Sequence, residues 1–231
     1  MNWISIIPVR AGSKGLTNKN IRSVCGKPLY RYTVDFALNA GAKKIFISTD
    51  IEEILSLTPE ENIIITKRNK KLCQDHTKMS SVILNFLQSE EGIKIGDDQI
   101  IVLLQATSPL RKQSDVQKAL SMFKESRDLD LLMGVTEADN GALKYGFVND
   151  KTFTHISDPN LCFENRQNLP KLYKPSGSFY IFKAGWFRAN KTFATSATGA
   201  VIISNEYAID IDQLEDIEHF ERVLKDGKVL K

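Results

Sequence analysis

The chain has 231 residues, 42% of them hydrophobic and 26% charged, with a formal net charge of +3. That length is enough for one full hydrophobic core, and the composition is that of an ordinary globular protein. The mild charge does not fit a nucleic-acid partner, whose binder would be far more basic, and no apolar run is long enough to cross a membrane as a helix.

The first twenty residues organise the rest. Trp3-Ile4-Ser5-Ile6-Ile7-Pro8-Val9 reads as a buried strand. It opens onto Arg10-Ala11-Gly12-Ser13-Lys14-Gly15-Leu16-Thr17-Asn18-Lys19-Asn20, a small, basic, flexible loop. Two glycines let backbone N–H groups approach an anion, and Arg10, Lys14 and Lys19 add three cations. The glycine spacing is neither that of a Walker A loop nor that of a dinucleotide fingerprint, so the loop reads either as a phosphate site of another kind or as a solvated turn.

Pro28 then starts a helix whose apolar stripe is Leu29, Tyr32, Thr33, Phe36 and Ala37, and Asn39-Ala40-Gly41 stops it. Lys44–Ser48 reads as the second strand, 51–57 as a short helix and Ile63–Thr66 as the third strand. The basic exit Lys67-Arg68-Asn69-Lys70-Lys71 is mainly a solvated charge run. Met79, Val82, Ile83, Phe86 and Leu87 line another helix. Ile100–Leu104, the most apolar strand, runs into Gln105-Ala106-Thr107-Ser108-Pro109-Leu110-Arg111. A helix opening at Ser114 and Asp115 and a strand at Leu131–Val135 follow.

Four strand–helix alternations predict an α/β fold: a mostly parallel, Rossmann-like sheet flanked by helices. Ligands of such sheets sit at the carboxyl ends of strands, so loops 10–20, 68–75 and 105–111 are expected to converge on one cleft. The rhythm changes at 137–175, where a hairpin around Asn149-Asp150 and exposed loop replace helical stripes. The whole of 1–231 reads as one domain with that stretch as an excursion, a lid or a dimerisation arm, because Tyr145, Phe147 and Phe153 would not be left in water.

Ser178–Phe182 and Val201–Ile203 read as further strands, and Leu214, Ile217, Phe220, Val223 and Leu224 mark a terminal helix. Asp210 and Asp212, read on a strand, would point to one side. Either Asp212 caps the terminal helix, or the pair holds Mg²⁺, which favours one or two carboxylates combined with substrate phosphates. Cys25, Cys73 and Cys162 lack metal-ligand or disulfide spacing, which fits a reducing, cytoplasmic setting and buried apolar thiols. The N-terminus lacks the pattern of a signal peptide.

The first loop with Gly26-Lys27-Pro28-Leu29, the stretch Leu103–Arg111 and the stretch Ile209-Asp210-Ile211-Asp212 together resemble the signature of the sialic acid cytidylyltransferases, in the same order and over nearly the whole chain. The resemblance implies attack of the anomeric hydroxyl of an acidic nine-carbon sugar on the α-phosphorus of CTP, with Mg²⁺ as cofactor and pyrophosphate as leaving group. It implies that Arg10, Ser13 and Lys14 hold the CTP phosphates, that Lys19 stabilises the α-phosphate, that Asn20 contacts the ribose and that Arg68 reads cytosine. Gln105 and Ser176 would face the sugar. Asp210 and Asp212 would bind Mg²⁺, with Asp212 assisting proton removal. The excursion would be an arm of a homodimer, bringing Lys144 and Arg166 to the acidic sugar of a partner.

Ala106 stands in place of the family's proline, which should loosen its loop, and Ser81 stands where many relatives carry Asp. Ser176 stands where sialic acid enzymes carry Asn, which opens N-acetylneuraminic, legionaminic and pseudaminic acid as acceptors. Enzymes for the eight-carbon acid Kdo differ in the first loop, with Ser-Thr-Arg in place of Gly-Ser-Lys. A different nucleotide choice and a non-catalytic nucleotide-binding regulator on the same fold are the rival readings.

Overall fold

The computed structural model describes residues 2–12, 15–58 and 60–226. In chain order the elements are β1 (Trp3–Val9), β2 (Ser23–Val24), β3 (Lys27–Pro28), α1 (Leu29–Asn39), β4 (Lys44–Thr49), α2 (Glu52–Leu55), β5 (Ile63–Lys67), α3 (Met79–Leu87) and β6 (Ile100–Leu104). They continue with α4 (Gln113–Glu125), β7 (Leu131–Ala138), β8 (Gly146–Asn149), β9 (Thr152–His155), β10 (Leu172–Lys183), α5 (Ala184–Asn190), β11 (Thr198–Ile202) and α6 (Leu214–Lys225).

Among the described residues the main sheet has seven strands in the order β11-β7-β10-β6-β1-β4-β5. All neighbours are parallel except β10, which runs antiparallel to both β6 and β7. Every residue of β1 is buried, as a central strand covered on both faces requires. Alternation sends Ile7 and Val9 to one face, with Val34 of α1 and Leu120 of α4. Ile4 and Ile6 go to the other, with Phe86 of α3 and Phe187 of α5.

The chain steps outward from β1 through β4 to β5, then returns to place β6 on the other side of β1. That reversal opens a crevice beyond the carboxyl ends of β1 and β6. A third apolar cluster, of Leu29, Leu110, Tyr207, Ile211, Ile217 and Phe220 among others, seats α6 against the start of α1. Phe220 meets the Tyr32 ring edge-on, 5.0 Å between centroids.

Several expectations are corrected. Pro28 precedes α1 rather than opening it, and pairs in the small β2–β3 hairpin. The second helix is only Glu52–Leu55. Helix α4 begins at Gln113, ahead of the expected start. The residues from Ala208 to Asp212 are coil, not strand, because they pair with no strand among the described residues and are held by single contacts such as Ile211 N–H to the Thr107 carbonyl at 2.8 Å. Strand β10 starts at Leu172 rather than 178 and turns the corner through a bulge between Pro175 and Tyr180. Strand β7 likewise runs on to Ala138, so the excursion leaves the sheet between 138 and 172. Helix α5 was not foreseen. The thiols are not buried: Cys25 is exposed and Cys73 and Cys162 are half-buried. Burial, with Asp50 alongside, pushes the Cys73 thiol up to about 11, so it stays protonated at neutral pH.

No helix among the described residues is long and apolar enough to cross a membrane. The β8–β9 hairpin pairs only with itself, with Asp150 in the left-handed conformation at its turn.

Truncating fully buried Phe220 should expose how far α6 depends on that third cluster. Phe220→Ala is expected to destabilise the protein by about 3–5 kcal/mol, read as a lowered midpoint in chemical denaturation.

Candidate active site

The three expected loops do converge. A cleft of about 370 Å³ is lined by Arg10, Gly15, Lys19 and Asn20 from the loop after β1, Arg68 and Asp75 from the loop after β5, Gln105–Thr107 after β6, and Asp212. A second pocket of about 300 Å³ is lined by Gln105, Thr136, Lys174–Gly177, Tyr180, Ala208 and Asp210. Gln105 belongs to both. The coil carrying the two aspartates therefore runs between two adjoining cavities, with Asp212 on one and Asp210 on the other.

Lys19 is almost fully buried, and its ammonium donates to the Ile211 carbonyl and to Asp212 Oδ1 at 2.7 Å. The Asp212 carboxylate is itself 70% exposed. Gly15 lies so close that a Cβ there would stand 2.7 Å from the Asp212 backbone oxygen, so contact rather than a special torsion demands glycine at 15. Asp212 is not the helix cap. Gln213 is, and Asp216 reaches back to the N–H groups of Asp212 and Gln213 at 2.9 and 2.8 Å, closing a capping box. Asp212 is left free of that structural duty.

Asp210 is exposed and lines the second pocket. Burial raises its pKa first, the Thr107 hydroxyl opposes this by hydrogen bonding, the nearby Asp212 charge raises it again, and Lys19 lowers it. Among the described residues no group of three or more His, Cys, Asp and Glu side chains could hold a metal by themselves. Two carboxylates two residues apart, Asp212 on the cationic cleft and Asp210 on the adjoining pocket, nevertheless fit Mg²⁺, which commonly takes one or two carboxylates and completes its oxygen shell from substrate phosphates and water.

Arg68 is buried, donating to the Ser48 carbonyl at 2.7 Å and the Ser48 hydroxyl at 3.3 Å. Burial lowers its pKa, although a guanidinium stays charged at neutral pH. Lys67, Lys70 and Lys71 around it are exposed, as the solvated reading expects. Asn20 donates to the Arg10 carbonyl at 2.9 Å, while its buried Oδ1 has no partner among the described residues. A buried acceptor without a donor is costly, and its residue belongs to the cleft lining, so a small shift of the side chain would offer it to a ligand hydroxyl.

Ser176 lines the second pocket, with its hydroxyl turned inward: it donates to the Gly134 carbonyl at 2.9 Å and accepts from Ser178 N–H at 3.2 Å. It fastens the bulge of β10. Lys144 and Arg166 line neither cavity. Within the single chain Lys144 donates to the Glu164 carbonyl and Arg166 pairs with Asp139 at 2.7 Å. Ser13 and Lys14 lie outside the described residues.

Four supporting residues escaped the sequence reading. Asp50 accepts from Ala11 N–H at 2.8 Å and anchors the first loop. Asp75 pairs with Arg10 at 2.7 Å. Thr107 bonds Asp210. Arg111 is buried and donates to the Ser178 carbonyl, the Thr33 hydroxyl and the Gln105 carbonyl at 2.8, 3.1 and 2.6 Å. It pins the loop that Ala106 was expected to loosen. Position just beyond the carboxyl end of β4 or β6 is the signal that could have found Asp50 and Thr107. For Asp75 and Arg111 only the fold supplies it.

A switch-point crevice with convergent cations, Asp212 on it and Asp210 on the adjoining pocket, defines an α/β protein with an anion-suited site at the carboxyl edge of its sheet. Residues 4–227 match the cytidylyltransferase family, and the chain belongs to that family. It is 33% identical over 230 residues to the N-acylneuraminate cytidylyltransferase of Streptococcus agalactiae, covering 95% of this chain but 52% of that protein. The chain thus spans about half the length of that relative. It is 32% identical to the post-translational flagellin modification protein B of Campylobacter coli, covering 95% of this chain and 94% of the relative. The fold matches that of a CMP:2-keto-3-deoxy-manno-octonic acid synthetase solved with CTP (TM-score 0.70, 16% identity, 98% of this chain and 100% of that one).

Gly15→Ala is expected to destabilise the protein by about 1–3 kcal/mol, because backbone must move to admit the methyl group; urea denaturation measures it. The raised Asp210 pKa has a signed consequence. A carboxyl raised above its unfolded value contributes stability below the unfolded pKa and loses it as pH rises through the folded one. In metal-free protein Asp210→Asn should therefore raise Tm at pH 7, and the advantage should fade on acidification toward about pH 4.

Proposed function

We propose that the chain transfers CMP from CTP to the anomeric hydroxyl of a nonulosonic acid, N-acetylneuraminic acid first among the candidates, giving a CMP-sugar and pyrophosphate. The observation that carries this reading is the pair of cavities joined at Gln105, with one aspartate on each. A nucleotide cleft and an acceptor pocket need that adjacency, because the attacking oxygen must reach the α-phosphorus.

In this reading Arg10, Ser13 and Lys14 hold the phosphates. Lys19, already fixed by two oxygens, neutralises charge growing on the α-phosphate without having to reorganise. Arg68 reads cytosine from its anchorage on Ser48, and the unpartnered Oδ1 of Asn20 accepts from a ribose hydroxyl. Gln105 orients the sugar, with Ser176 in the pocket wall. Asp210 and Asp212 would hold Mg²⁺, which supplies charge neutralisation on the phosphate oxygens when bound. Asp212, exposed and without a capping role, takes the proton from the attacking hydroxyl.

The enzyme acts as a homodimer in the cytoplasm. Phe147, Val148 and Phe163 on the excursion are each more than 70% exposed, which favours burial against a second copy. That contact would carry Lys144 and Arg166 to the carboxylate of the sugar in the partner's pocket. The inward-turned Ser176 hydroxyl favours testing legionaminic and pseudaminic acid beside N-acetylneuraminic acid.

The test is pyrophosphate release from CTP and Mg²⁺ with those three sugars and Kdo. Turnover with at least one nonulosonic acid, and a preference for CTP over UTP, is expected; silence with CTP still bound would favour a non-catalytic regulator. Asp210→Asn and Asp212→Asn should each lower kcat by at least about a hundredfold.

A further inference from the structure

Arg10 sits at the carboxyl end of β1, and Asp75 lies in the segment that leads from β5 to α3, β5 being two strands away from β1. Their side chains meet across the mouth of the cleft, Arg10 Nη2 donating to Asp75 Oδ1 at 2.7 Å. Arg10 Nη1 adds bonds to the Gly12 carbonyl at 3.1 Å and the Cys73 carbonyl at 3.5 Å. One guanidinium thus joins the first loop to the loop that carries Arg68. Both side chains of the ion pair keep about 30% of their surface open, on a wall of the cleft. Among the described residues, Arg10 Nε–H and the second Nη2 hydrogen have no partner, so the fork retains donors for an anion.

An acid at the mouth of a phosphate cleft is unfavourable on charge alone, since it repels a triphosphate. Its geometry supplies an offsetting gain. An arginine held on one edge by a carboxylate loses rotamer freedom before the ligand arrives, so less is lost on binding. We propose that Asp75 is a positioning residue for the nucleotide triphosphate, acting through Arg10 by fixing its guanidinium across the cleft. The proposal rests on the reading of Arg10 as a phosphate contact.

The test is binding of CTP with Mg²⁺ by calorimetric titration and of cytidine by NMR titration to the full chain. Three variants are compared with it: Asp75→Asn, Arg10→Ala and the double variant. Asp75→Asn should weaken CTP about tenfold while leaving cytidine within about twofold, since cytidine carries no phosphate for Arg10 to hold. The double variant should bind CTP no more weakly than Arg10→Ala alone, because the effect assigned to Asp75 passes through Arg10. Three results would overturn the proposal: CTP binding unchanged or tighter in Asp75→Asn, equal losses of CTP and cytidine, or additive losses in the double variant. Undiminished CTP binding in Arg10→Ala would instead remove the reading of Arg10 itself.

Discussion

The site depends on one buried ammonium. Lys19 comes from the loop after the first strand and binds the backbone and side chain of residues 211 and 212, more than 190 positions away. The contact brings the two ends of the chain into one cleft. It also sets a strict spacing, because Gly15 must lie against the Asp212 carbonyl for Lys19 to reach it. Helix α6 carries the other side of that constraint. Its capping box uses Gln213 and Asp216, and its apolar face is seated by Phe220 and Ile217, so the helix is capped without using the Asp212 carboxylate.

Charge in the cleft is arranged by unequal burial. Arg68 and Arg111 are buried against carbonyls and hydroxyls, so their positions are fixed by neutral acceptors rather than by acids that would cancel them. Arg10 is half open and joined to Asp75. Asp212 lies on the cleft and Asp210 on the adjoining pocket, where the Asp212 charge helps raise the Asp210 pKa. Such a cleft presents guanidinium and ammonium groups on one side and a carboxylate on another, an arrangement suited to an anionic ligand.

The second pocket takes its shape from a defect in the sheet. Strand β10 runs antiparallel between two strands that point the other way, and its bulge at 175–180 turns Ser176 inward and gives Gly177 a positive φ of 74°. A side chain at 177 would crowd Ser108 and Gln105. The pocket wall is therefore backbone as much as side chain, and Arg111 locks it to the Gln105 loop through the Ser178 and Gln105 carbonyls.

The sequence by itself determined the alternation of strands and helices through Val135, the convergence of three loops on one cleft, and the presence of Arg10 and Lys19 around it, while the family resemblance singled out Asn20, Arg68, Gln105 and Asp212. Those features are local: apolar runs, periodicity, and residues placed just beyond strand ends. Tertiary structure alone decided which way β10 runs, since an apolar strand carries no mark of its direction. It alone showed Ala208–Asp212 to be coil, because alternating Ile and Asp look like a strand until no partner strand is found. It also removed one reading of Asp212, by giving the cap to Gln213. Asp75 and Arg111 were invisible for the same reason: their partners lie 65 and 67 positions away, at Arg10 and Ser178. Distance along the chain hides such pairs, and only folding brings them within a hydrogen bond's reach.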